Sequence, residues 1–293
     1  MACFSPLLAW QLDSGEIVFR EKGRVKRHLS LACGQCVGCR LDRSREWALR
    51  CVHEAQLHAD NCFVTLTYSP ENLPVSGSLV YRDFQLFMKR LRKLRGPVRF
   101  YMCGEYGEKH WRPHYHACLF GVAFADRASF GTSPSGSRIY RSPELESLWT
   151  LGHSSLGDVT FESAAYIARY IMKKRYGDAA KAHYTRLDPS TGELVSLHPE
   201  FTRMSLKPGI GAGWITKFKS DVFPRDRIVA RGGMEMPVPK YYDRVLSEDE
   251  VEDVMMLREQ RAARFSDDNS PARLRVRETV AKAALSFKKR SLE

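Results

Sequence analysis

Long apolar runs are missing from these 293 residues. No stretch approaches the 18 apolar residues of a membrane-spanning helix, so no membrane partner is expected. The first residues, Met1 to Pro6, have neither a charged start nor an apolar core, and no signal peptide is expected. Acidic side chains are scarce beside basic ones, 34 against 46, which leaves a formal net charge of +12. That balance favours nucleic acid or another anionic surface as partner. The glycine-rich stretch Lys207 to Trp214 (KPGIGAGW) lacks the Lys-Ser/Thr ending of a nucleotide P-loop, so no ATP site is expected. No internal repeat is present. With 43% hydrophobic residues the chain can bury a sizeable core, as one large domain or one with appendages. Its eight cysteines, without a secretion signal, point to a reducing compartment and to thiols or metal ligands rather than disulfides.

What is present centres on the segment Arg112 to Gly121. His114 and His116 are two residues apart, so on a strand both imidazoles face one side and Tyr115 the other. Residues 98–106 also read as a strand, rich in aromatic and β-branched side chains. The polar segment 107–113 closes the two into an antiparallel hairpin, which puts Glu105 near the histidines. Two imidazoles and a carboxylate make a metal site with open positions. Glu108 or His110 could take the place of Glu105. The plain alternative is a pair of surface or core histidines.

Downstream, Ala164, Ala165, Ile167, Ala168, Ile171 and Met172 give an apolar stripe at helical spacing. Tyr166 and Tyr170 are four apart and share a helix face, and Lys173 follows one turn later. Tyr176 would lie well off that face. Taken alone, this is an amphipathic helix with half-buried tyrosines.

Near the N-terminus, Cys33, Cys36 and Cys39 form C-x2-C-x2-C, and Cys3 could supply a fourth thiolate if the chain folds back. Four thiolates would make a closed structural Zn²⁺ site; the alternative is free thiols in a glycine-rich turn. Cys51, Cys62, Cys103 and Cys118 read as core.

The remaining expectations are coarser. Residues 4–31 read as short strands with a turn at Asp13 to Gly15, 40–59 as a helix and 61–68 as a strand. Residues 82–95 read as an amphipathic helix with Lys89, Arg90, Arg92, Lys93 and Arg95 crowding its C-terminal half. A mobile loop is expected at 122–142, a short helix at 143–151, a strand at 154–160 and little regular structure at 177–206. Lys207 to Trp214 reads as flexible, either a phosphate-approaching loop or a connector, and 226–239 as a hairpin across Gly232 and Gly233. The expected organisation is a Cys-rich N-terminal segment with its helix (1–60), an α+β core with an antiparallel sheet flanked by helices (61–245), and a charged helical tail (246–293).

Taken together, these motifs resemble the HUH endonucleases, in which a His-hydrophobic-His strand holds a divalent metal and tyrosines on a later helix attack DNA. Tyr166-x-x-x-Tyr170-x-x-Lys173 is similar to the two-tyrosine form of rolling-circle initiators. Phe63 to Tyr68 (FVTLTY) looks like the family's first strand motif. Cys33 to Cys39 before Ser44 to Trp47 (SREW), and Cys103 to Gly107 (CGEYG) before Arg112 to His116 (RPHYH), resemble the replication initiators of microviruses, in the gokushovirus-like branch of single-stranded DNA bacteriophages.

The resemblance spans most of residues 1–245. It implies a ferredoxin- or palm-like HUH fold, with strand 61–68 beside the histidine strand, and Mn²⁺ or Mg²⁺ held by His114, His116 and Glu105. Tyr166 and Tyr170 would be nucleophiles assisted by Lys173, and Arg112, Lys174, Lys207 and Lys217 candidate DNA contacts. The implied activity is metal-dependent nicking and strand transfer in rolling-circle DNA replication. Single-stranded DNA and the double-stranded origin would be substrates, and a host helicase and polymerase partners, in the cytoplasm of a bacterial host. Two other classes fit the same residues: a hydrolytic metal-dependent nuclease, and a non-catalytic single-stranded DNA-binding module.

Overall fold

The computed structural model describes residues 3–107, 110–133, 136–173, 177–187 and 192–287, without the side chains of residues 170–173, 179 and 231. The chain opens with three antiparallel strands, β1 (Leu7–Leu12), β2 (Ile17–Val18) and β3 (Val25–Leu31), in the order β2-β1-β3. Helix α1 (Val37–Ala55) follows. The chain then alternates through β4 (Asn61–Tyr68), α2 (Tyr81–Arg95), β5 (Arg99–Tyr106), β6 (Pro113–Phe120), β7 (Ala128–Thr132), β8 (Arg138–Arg141), α3 (Pro143–Leu148), β9 (Gly152–Gly157) and α4 (Phe161–Lys173). After these come α5 (Asp178–Tyr184), the hairpin β10 (Thr185–Leu187) and β11 (Leu194–Ser196), and β12 (Phe201–Met204). Last are α6 (Ala212–Lys217), α7 (Lys219–Val222), the hairpin β13 (Ile228–Val229) and β14 (Glu235–Met236), α8 (Glu248–Ala263) and α9 (Pro271–Ser286).

Two compact units result. One contains residues 3–43 and 246–287, so α8 and α9 belong with the N-terminal strands; the boundary falls inside α1. In this unit Ser247 and Glu250 form a capping box at the start of α8, satisfying amides that the first helical turn leaves open.

The other unit, residues 44–245, is built on a seven-stranded antiparallel sheet in the order β12-β5-β6-β4-β9-β8-β7. β4 lies beside the histidine strand β6, as expected. Alternation divides the sheet into two apolar faces. On one, Val64, Leu66, Met102, Tyr115, Ala117 and Leu119 pack with α2 through Phe84, Phe87, Met88 and Leu91, and with α3 through Leu145. On the other, Phe63, Tyr101, Cys103, Cys118 and Phe120 pack with Ala48 and Cys51 of α1 and with Ala164, Ile167 and Ala168 of α4. The four cysteines expected in the core are buried.

Three expectations are corrected. Residues 122–142 are not a loop throughout: β7 and β8 extend the sheet edge. Their serines and glycines serve a hairpin, with Ser133 N donating to Ser137 O at 2.8 Å. The segment 177–206 contains β12, which pairs with β5 at the opposite edge. Phe201 sits against Gly104, where an added Cβ would come within 3.0 Å of its ring. The stretch 207–214 is clamped rather than flexible. Arg99 Nη2 donates to Pro208 O at 2.7 Å, Arg50 Nε donates to Ile210 O at 3.0 Å, and Gly211 N donates to Glu54 Oε2 at 2.7 Å. Among the described residues no helix is long and apolar enough to cross a membrane.

Candidate metal centre and tyrosine helix

Hairpin register builds the centre. Glu105 on β5 pairs with His114 on β6, and His116 pairs with Thr65 on β4, so all four side chains share the face covered by α4. Glu105, His114 and His116 are 1%, 4% and 1% exposed, which leaves little bulk water to stabilise charge. Each imidazole Nε2 lies 2.9 Å from Glu105 Oε1. Behind the rings, His114 Nδ1 faces Arg112 O at 3.1 Å and His116 Nδ1 faces Thr65 Oγ1 at 2.9 Å. Burial pushes the Glu105 carboxyl up, but the hydrogen bonds to His114 and His116 outweigh it and hold the group below the usual carboxylate range.

This donor set fits a divalent cation. A neutral imidazole carries one N–H, yet both nitrogens of His114 face acceptor oxygens. A second proton or a cation at Nε2 satisfies both. Cis ligands around an octahedral ion with bonds of about 2.1 Å lie about 3 Å apart. The 2.9 Å between each Nε2 and Glu105 Oε1 matches that spacing. The three ligand atoms lie within 4.8 Å of one another, and three protein ligands leave positions for substrate or water.

Helix α4 brings in the tyrosine. At its start Thr160 Oγ1 accepts from Ser163 N at 3.1 Å and Ser163 Oγ accepts from Thr160 N at 2.8 Å. Ser44 Oγ donates to Ala165 O at 3.2 Å and fixes the helix to α1. Tyr166 is buried, edge-on to His116 with ring centroids 5.0 Å apart, and its Oη is 3.4 Å from Glu105 Oε1. The Tyr170 backbone lies one turn further along α4. The side chains of Tyr170 and Lys173, together with Lys174, Tyr176 and the alternative ligand Glu108, lie outside the described residues. His110 is exposed in the turn, apart from the ligand cluster.

Of the other candidate contacts, Arg112 Nη2 donates to Tyr68 O at 2.8 Å and ties the turn to the end of β4. Lys207 and Lys217 are exposed. On α2, Arg90 and Arg92 donate to Leu148 O and Val98 O, and Arg95 pairs with Glu144. These three guanidiniums serve the fold. Two site-face residues escaped sequence reasoning. Thr65 was legible only as a strand residue. His153 is exposed on β9 opposite Thr67, itself opposite His114, which places it two strand spacings, about 10 Å, across the same face.

In the N-terminal unit the sulfurs of Cys3, Cys33, Cys36 and Cys39 also lie within 4.8 Å of one another. Backbone amides point at them: Phe4 N to Cys36 Sγ at 3.2 Å, Cys33 N to Cys3 Sγ at 3.3 Å, and Cys36 N to Cys33 Sγ at 3.3 Å. Burial pushes the Cys36 thiol up, but the amides of Cys39 and Phe4 and the neighbouring thiols outweigh it and bring it to about 7. Burial pushes Cys3 and Cys39 up. All eight cysteines are free thiols.

The sheet and its buried Glu-His-His cluster define an α+β protein with a candidate divalent-metal centre. Residues 61–175, which include that centre and the tyrosine helix, match the family model for replication-associated proteins of the ORF2 type. Replication-associated protein VP4 of Bdellovibrio phage phiMH2K is 36% identical over 254 residues, covering 83% of this chain and 76% of the relative. Replication-associated protein ORF2 of Spiroplasma virus 4 is 34% identical over 269 residues, covering 83% and 80%. Replication-associated protein ORF4 of Chlamydia phage 1 is 31% identical over 153 residues, covering 49% and 38%. No solved structure matches the chain. The chain belongs to this family of phage replication-associated proteins, of the microvirus-like kind.

Proposed function

We propose that the protein is an HUH-type replication initiator that nicks single-stranded or extruded origin DNA by tyrosine transesterification. The observation that carries this reading is Tyr166, whose hydroxyl lies 3.4 Å from Glu105 Oε1 beside the two histidines. Attack by a tyrosine oxygen forms an O–P bond to the 5′ phosphate and breaks the bond from phosphorus to the 3′ oxygen. The 3′ oxygen takes a proton and leaves as a hydroxyl that a host polymerase can extend, and the tyrosine proton passes to solvent or a nearby base. A phenol with a pKa of about 10 is a weak nucleophile at neutral pH. Mn²⁺ or Mg²⁺, held by His114, His116 and Glu105, would supply Lewis-acid stabilisation of charge on the phosphate. Lys173 adds positive charge for phenolate or phosphate. Tyr170 serves as second nucleophile, so that the strand can be transferred and closed after one circle without ATP. Arg112, Lys174, Lys207 and Lys217 remain candidate DNA contacts. The setting is the cytoplasm of a bacterial host, with a host helicase opening the double-stranded origin.

We also assign Cys3, Cys33, Cys36 and Cys39 to a structural Zn²⁺. The gathered sulfurs with amides aimed at them support this, and four thiolates leave no open coordination position. Elemental analysis of protein prepared without chelator should find about one zinc per chain; finding none contradicts the assignment.

The nicking reading is tested on a denaturing gel after incubation with labelled single-stranded origin DNA and Mn²⁺. A labelled band at the protein's mass, lost with EDTA, is expected. Cut DNA without that band indicates a hydrolytic nuclease. Binding that persists in EDTA with no cutting indicates a binding module.

A further inference from the structure

We infer that Thr65 is a positioning residue for the metal centre, accepting from the Nδ1–H of His116 so that Nε2 presents its lone pair beside Glu105. This rests on the proposed Glu105-His114-His116 site. The ring of His116 is already held in place: Phe63 stacks on it at 5.6 Å and Tyr166 meets it edge-on at 5.0 Å. Packing of that kind fixes the plane of an imidazole but does not choose which nitrogen carries the proton. The partner of the second nitrogen makes that choice, as it does for metal-bound histidines generally.

The two histidines are served differently. His114 Nδ1 faces the carbonyl of Arg112, which can only accept and cannot be removed by substitution. His116 Nδ1 faces the Thr65 hydroxyl at 2.9 Å, delivered by the direct cross-strand pairing of Thr65 with His116. A hydroxyl can accept when Nε2 serves a cation, and donate when Nε2 carries the proton toward Glu105. A hydroxyl therefore accommodates both forms of the site, which a carboxylate at this position would not. His116 is 1% exposed, so bulk water is a poor substitute acceptor. A buried Nδ1–H left without one opposes cation binding.

Valine is the discriminating substitution. It keeps the branched shape and strand preference of threonine and removes only the hydroxyl. In a titration of the full chain with Mn²⁺, read by electron paramagnetic resonance of the free ion, Thr65→Val should weaken binding about 10- to 100-fold. Thr65→Ser, which restores the hydroxyl, should bind within a few-fold of wild type, and the melting temperatures of the three should be close. If Thr65→Val does not fold, Thr65→Ala is read in the same titration with the same expectation. Unchanged affinity in the hydroxyl-less variant overturns the inference, as does a loss that serine fails to restore. Wild-type protein that binds no Mn²⁺, or His116→Ala that binds it as tightly as wild type, overturns the underlying site and the inference together.

Discussion

The centre on the sheet and the cysteine cluster in the N-terminal unit are both groups of ligand-type side chains, but they are assembled in opposite ways. The cysteines come largely from one short segment, Cys33 to Cys39, and are steadied by backbone amides. Three of the four are only half-buried. Glu105, His114 and His116 come from two strands and are almost fully buried, with Thr65 behind them on a third. Four sulfurs can close a tetrahedron, whereas two imidazoles and one carboxylate leave positions for something else. Chemistry belongs at the second site and folding at the first. A test that treats the two alike, such as removing all metal with a strong chelator, would hide this difference.

The largest expected effect comes from the nucleophiles. Tyr166→Phe with Tyr170→Phe should form no covalent adduct, and Tyr176 should not substitute for them. Each single variant should keep some cleavage of short oligonucleotides on the denaturing gel and lose the closed circles. If the tyrosines merely pack, the double variant forms adduct normally and only melts earlier.

Next come the ligands. His114→Ala or His116→Ala should abolish nicking while salt-sensitive DNA binding, read by electrophoretic shift, is largely kept. Zinc content should survive either change, since the cysteines do not depend on the histidines. Loss of zinc in His114→Ala would break the separation of the two sites.

A backbone prediction sharpens the comparison without touching a ligand. Gly152 opens β9 at φ +155°, and an added Cβ would lie 2.2 Å from Ser69 N and 2.4 Å from Thr67 O. The atoms in the way are backbone of the end of β4 and of the residue after it. Gly152→Ala should therefore cost more than about 3 kcal/mol in urea denaturation.

The smallest effect is a pH dependence. His53 is stacked on Trp214 at 3.6 Å and bonded through Nδ1 to Tyr242 Oη at 2.8 Å, and burial pushes its pKa down to about 4 from the ordinary 6.5. Between those values the unfolded chain takes up the proton and the folded chain does not. Stability from this group is thus full above pH 6.5, falls as the pH drops toward 4, and levels off below it, by up to about 3 kcal/mol. His53→Phe should flatten that slope in denaturation curves taken across the window.

Much of the centre was legible because it is local. His-x-His gives its face from alternation alone, and a short turn brings Glu105 alongside. The helix of Tyr166 shows its apolar stripe in the sequence. Cys3 could be suggested only as a remote fourth ligand, since nothing local says that the N-terminus folds back. Thr65 and His153 were hidden because their relation to His116 and His114 depends on β4 lying between β6 and β9, a tertiary pairing. Serines and glycines around 128–141 read as loop because small polar residues suit hairpins and loops equally. The glycines of 209–213 suggested mobility; Arg50, Glu54 and Arg99, distant in sequence, hold that stretch still.

The most direct test of tyrosine chemistry at the histidine centre is peptide mapping of wild-type protein after reaction with single-stranded origin DNA and Mn²⁺. The DNA-linked peptide should carry the phosphodiester on Tyr166 or Tyr170, with the partner strand ending in a free 3′ hydroxyl. Cleaved DNA with no linked peptide, or a link mapped to any residue outside this pair, would contradict the account.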